Sequence, residues 1–315
     1  MRGPETMATE PTITVLAGTE STQLRCLVRS KVLTSYWMLT KPEISFLITI
    51  TVLVGFCMAL PISSIGFPFA RLINTLVGTL LVASGSSALN QFLERHFDAQ
   101  MRRTARRPLA AGTVEPFRAL SFGILLSCGG AIYLACAVNC LASLLAILTL
   151  LSYLFLYTPL KRKTALCTLV GAFPGAVPPL IGWSAASGSV RVGAWILYAM
   201  LFLWQFPHFM AIAWMYREDY DRAGYLVLPK EKRGRLVVWQ SVLPSLALIP
   251  LSLVPTLVGY AGYLYCAGAL LLSAAFSYQA VKLAFHRSNA VARRLLLVSI
   301  IYLPAAFLLM LFDKR

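Results

Sequence analysis

Long apolar stretches alternate with short polar ones along almost the whole chain. Runs close to the roughly 20 residues that a helix needs to cross a bilayer recur near 44–61, 68–90, 117–135, 138–157, 166–186, 192–213, 237–258, 261–281 and 295–312. The pattern predicts an all-α, polytopic membrane protein of about nine transmembrane helices. The break between the third and fourth runs, at Val138-Asn139, is weak, which leaves eight or ten helices as alternatives. Residues 1–34 carry no comparable run and read as a flexible tail ahead of a transmembrane domain over 35–315. That tail lacks the apolar segment of a cleavable signal peptide, and Glu5, Glu10 and Glu20 argue against an acid-poor transit segment. Met7 offers an alternative start.

Composition removes the soluble alternative. At 315 residues two soluble domains would fit, but 58% hydrophobic and 13% charged residues describe an integral membrane protein. A net charge of +16 raises the question of nucleic acid. The Lys and Arg fall in short loops between apolar runs instead of on one basic face, so no nucleic-acid partner is expected. They cluster after the second, fourth, sixth and eighth runs, whereas the alternate loops hold only Arg191. This positive-inside alternation predicts a cytoplasmic N-terminus. The seven cysteines are odd in number, and all but Cys26 sit in or beside apolar runs, where they pack as small apolar residues.

Two acidic patches interrupt the apolar pattern. Asn90, Glu94 and Asp98 are spaced i, i+4, i+8 and share one face of a helix. Two carboxylates and an amide oxygen held together repel one another unless a cation joins them. Arg95, Arg102, Arg103, Arg106 and Arg107 follow and would collect phosphate. The second patch, Glu218-Asp219-Tyr220-Asp221, follows the sixth run beside Arg217 and Arg222. The offset from Glu94 to Glu218 is 124 residues, and the basic loop near 158 recurs near 282 at the same offset. Two four-helix units plus a ninth helix would then bring the patches face to face. At mid-membrane each carboxylate would cost roughly 2.5–3.5 kcal/mol on insertion scales; at the inner boundary water, metal and phosphate reach it. Mg²⁺ is the natural ion, since it takes one or two carboxylates plus phosphate oxygens.

The other candidates carry two readings each. Lys161 and Arg162 are positive-inside signals or diphosphate ligands; Lys41 is a snorkelling anchor or a phosphate ligand. Gly171, Pro174, Gly175, Pro178, Pro179 and Gly182 break the fifth run. Such breaks are tolerated where backbone lines a cavity or is buried in protein. A central apolar chamber suits this, and so does a transporter path. Trp204-Gln205-Phe206-Pro207-His208-Phe209 places an ionisable group at membrane depth, a functional candidate by default.

Together these residues resemble a family. Asn90…Glu94-Arg95…Asp98-Ala99…Met101…Arg103-Thr104…Arg107-Pro108-Leu109…Gly112 resembles the first aspartate-rich motif of the protohaem IX farnesyltransferases (haem O synthases), which are UbiA-type intramembrane prenyltransferases. Thr40-Lys41-Pro42, Tyr157-Thr158-Pro159-Leu160-Lys161-Arg162, Pro178–Trp183, Trp204–Phe209 and Asp219-Tyr220…Ala223-Gly224 are similar to further signatures of that family. The resemblance runs from about residue 36 to the end. Glu94 stands where Asp is common, and the second patch lacks a clean D-x-x-x-D.

The resemblance implies farnesyl transfer from farnesyl diphosphate to a vinyl group of haem b. It implies Mg²⁺ held by Asn90, Glu94, Asp98, Glu218 and Asp219, with Lys161 assisting in catalysis. Lys41, Arg102, Arg103, Arg107 and Arg162 would bind substrate phosphate; Trp204 and His208 would bind haem. It further implies a bacterial inner membrane, ahead of the mitochondrial one, with the lipid bilayer and haem A synthase or oxidase-assembly proteins as neighbours. A prenyltransferase acting on a quinone precursor would share the metal machinery, and a secondary transporter the broken helices.

Overall fold

A computed structural model of the chain describes residues 32–62 and 66–315. Among these residues nine helices are long and apolar enough to cross a membrane. They are α1 (Pro42–Ala59), α2 (Phe69–Asp98), α3 (Pro116–Ala137), α4 (Cys140–Leu160), α5 (Cys167–Ser187), α6 (Val192–Met215), α7 (Lys230–Leu257), α8 (Tyr263–His286) and α9 (Asn289–Phe312). Each corresponds to one predicted run, so the eight- and ten-helix alternatives fall away for the described residues. The weak break at Val138-Asn139 is firm in three dimensions. Asn139 accepts the Ala142 N–H at 2.8 Å, capping α4, and donates to the Ser184 carbonyl of α5 at 2.9 Å.

Residues 1–31, with Met7 and Cys26, lie outside the described residues. A helix over 32–39 crosses the boundary expected after residue 34. Its last residue, Leu39, packs with Ala88, Leu109, Val114 and Ala119, and Tyr36 meets Phe122 edge-on at 5.1 Å. That packing fixes the approach to Lys41.

One core runs through the bundle, with Val54 and Met58 of α1 and Ala176, Leu180 and Trp183 of α5 joining residues of α6–α9. The α5 helix packs along α1 and α4, while α6, α7, α8 and α9 share a core built around Tyr265, Phe276, Tyr302 and Phe307. The α1–α5 seam is backbone against backbone. A Cβ on Gly182 would overlap the Val52 carbonyl oxygen, and one on Gly55 the Pro179 carbonyl oxygen. In lipid, where burying apolar side chains gains little, such close approach supplies the packing energy.

The break in α5 falls at Ala176-Val177, between helical halves Cys167–Gly175 and Pro178–Ser187. Pro174, Pro178 and Pro179 lack the N–H groups that would continue the ladder. Gln205 of α6 docks against the break, donating to the Ala172 carbonyl at 2.8 Å, with its side-chain oxygen lying over Gly175. The interruption is therefore mostly buried in protein, and it is plugged by a side chain.

Loops after α2, α4, α6 and α8 meet at one end of the bundle. Leu226 N–H donates to the Lys161 carbonyl at 2.7 Å, and Arg217 to Asn289 at 2.6 Å. At the opposite end Lys314 donates to the carbonyls of Cys57 and Leu60, and Asp313 accepts the Tyr265 N–H at 2.8 Å. Both acidic patches, Lys41 and Lys161-Arg162 gather at the first, basic end, whereas the α6 motif and Pro178–Trp183 lie deeper, Trp183 meeting Tyr260 at 5.8 Å.

Candidate active site

The α2 helix outlasts its apolar run and carries Asn90, Glu94 and Asp98 into the basic end on one buried face. Asn90 donates to Glu94 Oε2 at 2.8 Å and accepts from the Thr158 hydroxyl at 3.0 Å. Glu94 Oε1 takes Lys161 Nζ at 2.7 Å and the Tyr225 hydroxyl at 3.1 Å. Asp98 takes Arg107 Nη1 on both oxygens, at 2.8 and 2.7 Å. The mutual repulsion of these acids is thus met by Lys161 and Arg107, one cation for each carboxylate.

Local structure aims these partners. The α4 helix widens into a π-helical turn over Ser152–Tyr157 before Thr158, a device common at functional sites. Lys161 then lies over the Tyr157 ring, 4.5 Å from its centroid, while reaching Glu94. Lys41 has a left-handed backbone, φ 45°, ψ 66°, which costs a non-glycine residue energy and is found at strained functional sites. Gln91 holds that turn by donating to the Leu39 and Met38 carbonyls at 3.0 and 3.3 Å.

The charges respond to these surroundings. Burial first, and then the Arg107 guanidinium, push the Lys41 ammonium down to about 7, with Glu94 pulling the other way. Burial also works to lower Lys161, but the Glu94 carboxylate, followed by Tyr157 and Tyr153, overrides it and holds Lys161 well above its ordinary value. Burial and then Glu94 push the Tyr225 hydroxyl up, so it stays a donor.

The second patch contributes one acid. Asp219 is buried, accepts the Arg103 backbone N–H at 3.1 Å and pairs with Arg222 at 3.4 Å. Glu218, expected as a metal ligand, turns to solvent with a side chain 77% exposed and, among the described residues, pairs only with Arg217 at 3.7 Å. Adjacent residues on a helical turn point about 100° apart, and only one of the two can face the site. Asp221 is engaged by Arg233 at 2.5 and 2.6 Å. Arg162 stacks on Phe97 at 4.3 Å and Arg103 on Tyr216 at 5.0 Å, whereas Arg102 is simply exposed.

A cavity of about 470 Å³ opens beside the cluster, lined by Glu94, Thr158, Arg162 and Tyr225 with apolar walls from Phe97, Leu154 and Phe155. Trp204 and His208 do not line it. They lie between α6 and α9, where Trp204 donates to the Ser299 carbonyl at 2.9 Å and His208 Nδ1 lies 2.8 Å from Ser299 Oγ. Tyr225 and Gln91 carry no warning in the sequence. Tyr225 reads as one more loop aromatic, and Gln91 as a polar neighbour of Asn90.

The donor set suits a hard divalent ion. Among the described residues no three His, Cys, Asp or Glu side chains converge as a ligand cluster. Mg²⁺ asks for less: one or two carboxylates, with water and substrate phosphate completing the octahedron. Asn90, Glu94 and Asp98 on one face of α2, and Asp219 on the helical turn Arg217–Arg222, are oxygen-bearing side chains of that chemistry.

The pattern of the UbiA prenyltransferase family matches residues 48–309. The chain belongs to that family. It is a multi-pass membrane transferase, which removes the transporter alternative. Among its relatives, a protoheme IX farnesyltransferase of Solibacter usitatus is 48% identical over 286 residues, covering 89% of this chain and 98% of its own. Solved UbiA folds superimpose as well. A digeranylgeranylglyceryl phosphate synthase gives a TM-score of 0.73 at 16% identity, covering 89% of this chain and 98% of that one. A UbiA homologue of Archaeoglobus fulgidus bound to GPP and Mg²⁺ gives 0.63 at 14% identity, covering 88% and 99%.

Proposed function

We propose that this UbiA-family transferase moves a farnesyl group from farnesyl diphosphate to a vinyl group of haem b, forming haem O for haem-copper oxidase assembly. The observation that carries this reading is 48% identity, across 98% of its length, to a relative named protoheme IX farnesyltransferase. The cluster of paired acids and cations around Glu94 and Asp98 supplies the chemistry such a reaction needs.

The difficult step is cleaving the allylic C–O bond, because negative charge accumulates on the departing diphosphate. Asn90, Glu94, Asp98 and Asp219 would hold Mg²⁺, which would supply charge neutralisation there. Lys161 and Arg107 exchange part of their contact with the carboxylates for phosphate oxygens. Lys41 and Arg162 bind the same group, while Arg102 and Arg103 attract it to the entrance. The apolar cavity walls keep water from the allylic cation. The vinyl π electrons form the new C–C bond; water then adds to the resulting cation and loses a proton, leaving the hydroxyethylfarnesyl side chain. Pyrophosphate and one proton are released. No strong base is required. With Mg²⁺ present, pyrophosphate release will depend on adding haem b, and EDTA will stop it until Mg²⁺ is restored. Equal release with a phenolic or naphthoic acceptor and none with haem b would assign the quinone-type reaction.

The reading also sets orientation and surroundings. The basic end faces the cytoplasm of a bacterial inner membrane, where haem A synthase or oxidase-assembly proteins take the product. Reporter fusions after Gly112 and Gly234 will both report the cytoplasmic side; opposite sides would separate the two acidic loops and contradict the site.

A further inference from the structure

His208 is held more firmly than a packing residue requires. The Ser299 hydroxyl donates its only proton to the Leu296 carbonyl at 2.6 Å. The same oxygen lies 2.8 Å from His208 Nδ1. With its proton committed to Leu296, the hydroxyl can only accept from the ring, so Nδ1 carries the hydrogen and Nε2 the lone pair. Trp204 stacks on the imidazole at 4.7 Å, its indole N–H tied to the Ser299 carbonyl at 2.9 Å, and Phe209 meets the ring edge-on at 5.7 Å. Both tautomer and ring plane are therefore fixed from α9. Nε2 has no partner among the described residues. A neutral imidazole donating through Nδ1 and open at Nε2 is the arrangement of a metal-ligating histidine with its supporting hydrogen bond.

Depth agrees with an acceptor role. His208 stands about 10 Å before the end of α6 at Met215, and Asn90 about 12 Å before the end of α2 at Asp98, at 1.5 Å per residue. The two ends meet, since Asp219 just past α6 accepts the Arg103 N–H just past α2 at 3.1 Å, so a flat macrocycle ligated at His208 would sit near the depth of Asn90. We infer that His208 Nε2 ligates the iron of the haem acceptor and that Ser299 is the positioning residue that sets its tautomer and basicity. The inference rests on the haem reading of the proposed function.

Purified protein titrated with ferrous haem b tests it, read by resonance Raman for an iron–histidine stretch. The wild type will show the stretch, and His208→Ala will lose it and recover a ligated spectrum when imidazole is added. Ser299→Ala will weaken haem binding about 10-fold and lower the stretching frequency; Ser299→Thr, which keeps the accepting oxygen, will restore both. Binding of farnesyl diphosphate with Mg²⁺, measured by calorimetry, will be unchanged in all three variants, which reports that they are folded. An iron–histidine stretch that survives His208→Ala, or a Ser299→Ala protein identical to wild type, overturns the inference while leaving haem prenylation standing. A wild type that binds no haem b overturns both.

Discussion

Asp98→Ala will lower farnesyl transfer by about 10³-fold while the protein still inserts and purifies normally. The carboxylate touches Arg107 on both oxygens and is 1% exposed, so its role is electrostatic and local. Loss of a group that stabilises charge developing in a transition state costs roughly 10²–10³ in kcat, and Asp98 both binds the ion and orients Arg107. Arg107 itself is 22% exposed and can turn to water, so the fold tolerates the change. Turnover measured beside a size-exclusion profile checks the expectation. Near wild-type turnover at low Mg²⁺ would remove the α2 face from the mechanism.

Lys161→Ala will affect stability and turnover together. It leaves Glu94, 7% exposed, without its ammonium partner. Breaking a buried ion pair from one side costs about 3–5 kcal/mol, and the Tyr225 and Asn90 donors that remain put this case at the lower end. The double variant Lys161→Met with Glu94→Gln removes both charges and will recover much of the lost stability without recovering activity. Thermal unfolding of the two singles and the double in detergent gives the coupling directly. A double no more stable than Lys161→Ala would mean that this pair is not what the fold depends on. Glu94→Asp also becomes informative. Although the charge is kept, one methylene is lost from a carboxylate whose two oxygens meet three fixed donors, so activity falls even though an acid of either length binds Mg²⁺.

Much of this was legible in the residues. Bilayer thickness and backbone hydrogen-bonding demand set helix length, and loop charge sets alternation, so about nine helices and a single basic end follow from pattern, while the structure decides between eight, nine and ten among the described residues. The Asn90–Glu94–Asp98 face needed only helical periodicity. What was hidden depends on contacts between distant segments. The tight α1–α5 seam arises from Gly55 and Gly182 letting two backbones touch, which no periodicity records. Glu218 and Asp219 are chemically alike and adjacent; only the entry angle of the turn Arg217–Arg222 decides that Asp219 receives the Arg103 N–H. Tyr225 matters because Gly224, at φ 69°, turns the chain back so that the ring packs near Phe97 and the hydroxyl reaches Glu94. The positively charged partners were expected to wait for phosphate. Instead Lys161 and Arg107 already neutralise the acids, which keeps the site stable at rest.

The central claim is the identity of the product. Purified protein supplied with haem b, farnesyl diphosphate and Mg²⁺ in ¹⁸O-water, followed by mass spectrometry of the extracted haem, tests it most directly. The account predicts haem O carrying one ¹⁸O in its hydroxyethyl group, absent with Asp98→Ala. Unchanged haem b, together with prenylation of 4-hydroxybenzoate or a naphthoate under the same conditions, would contradict it.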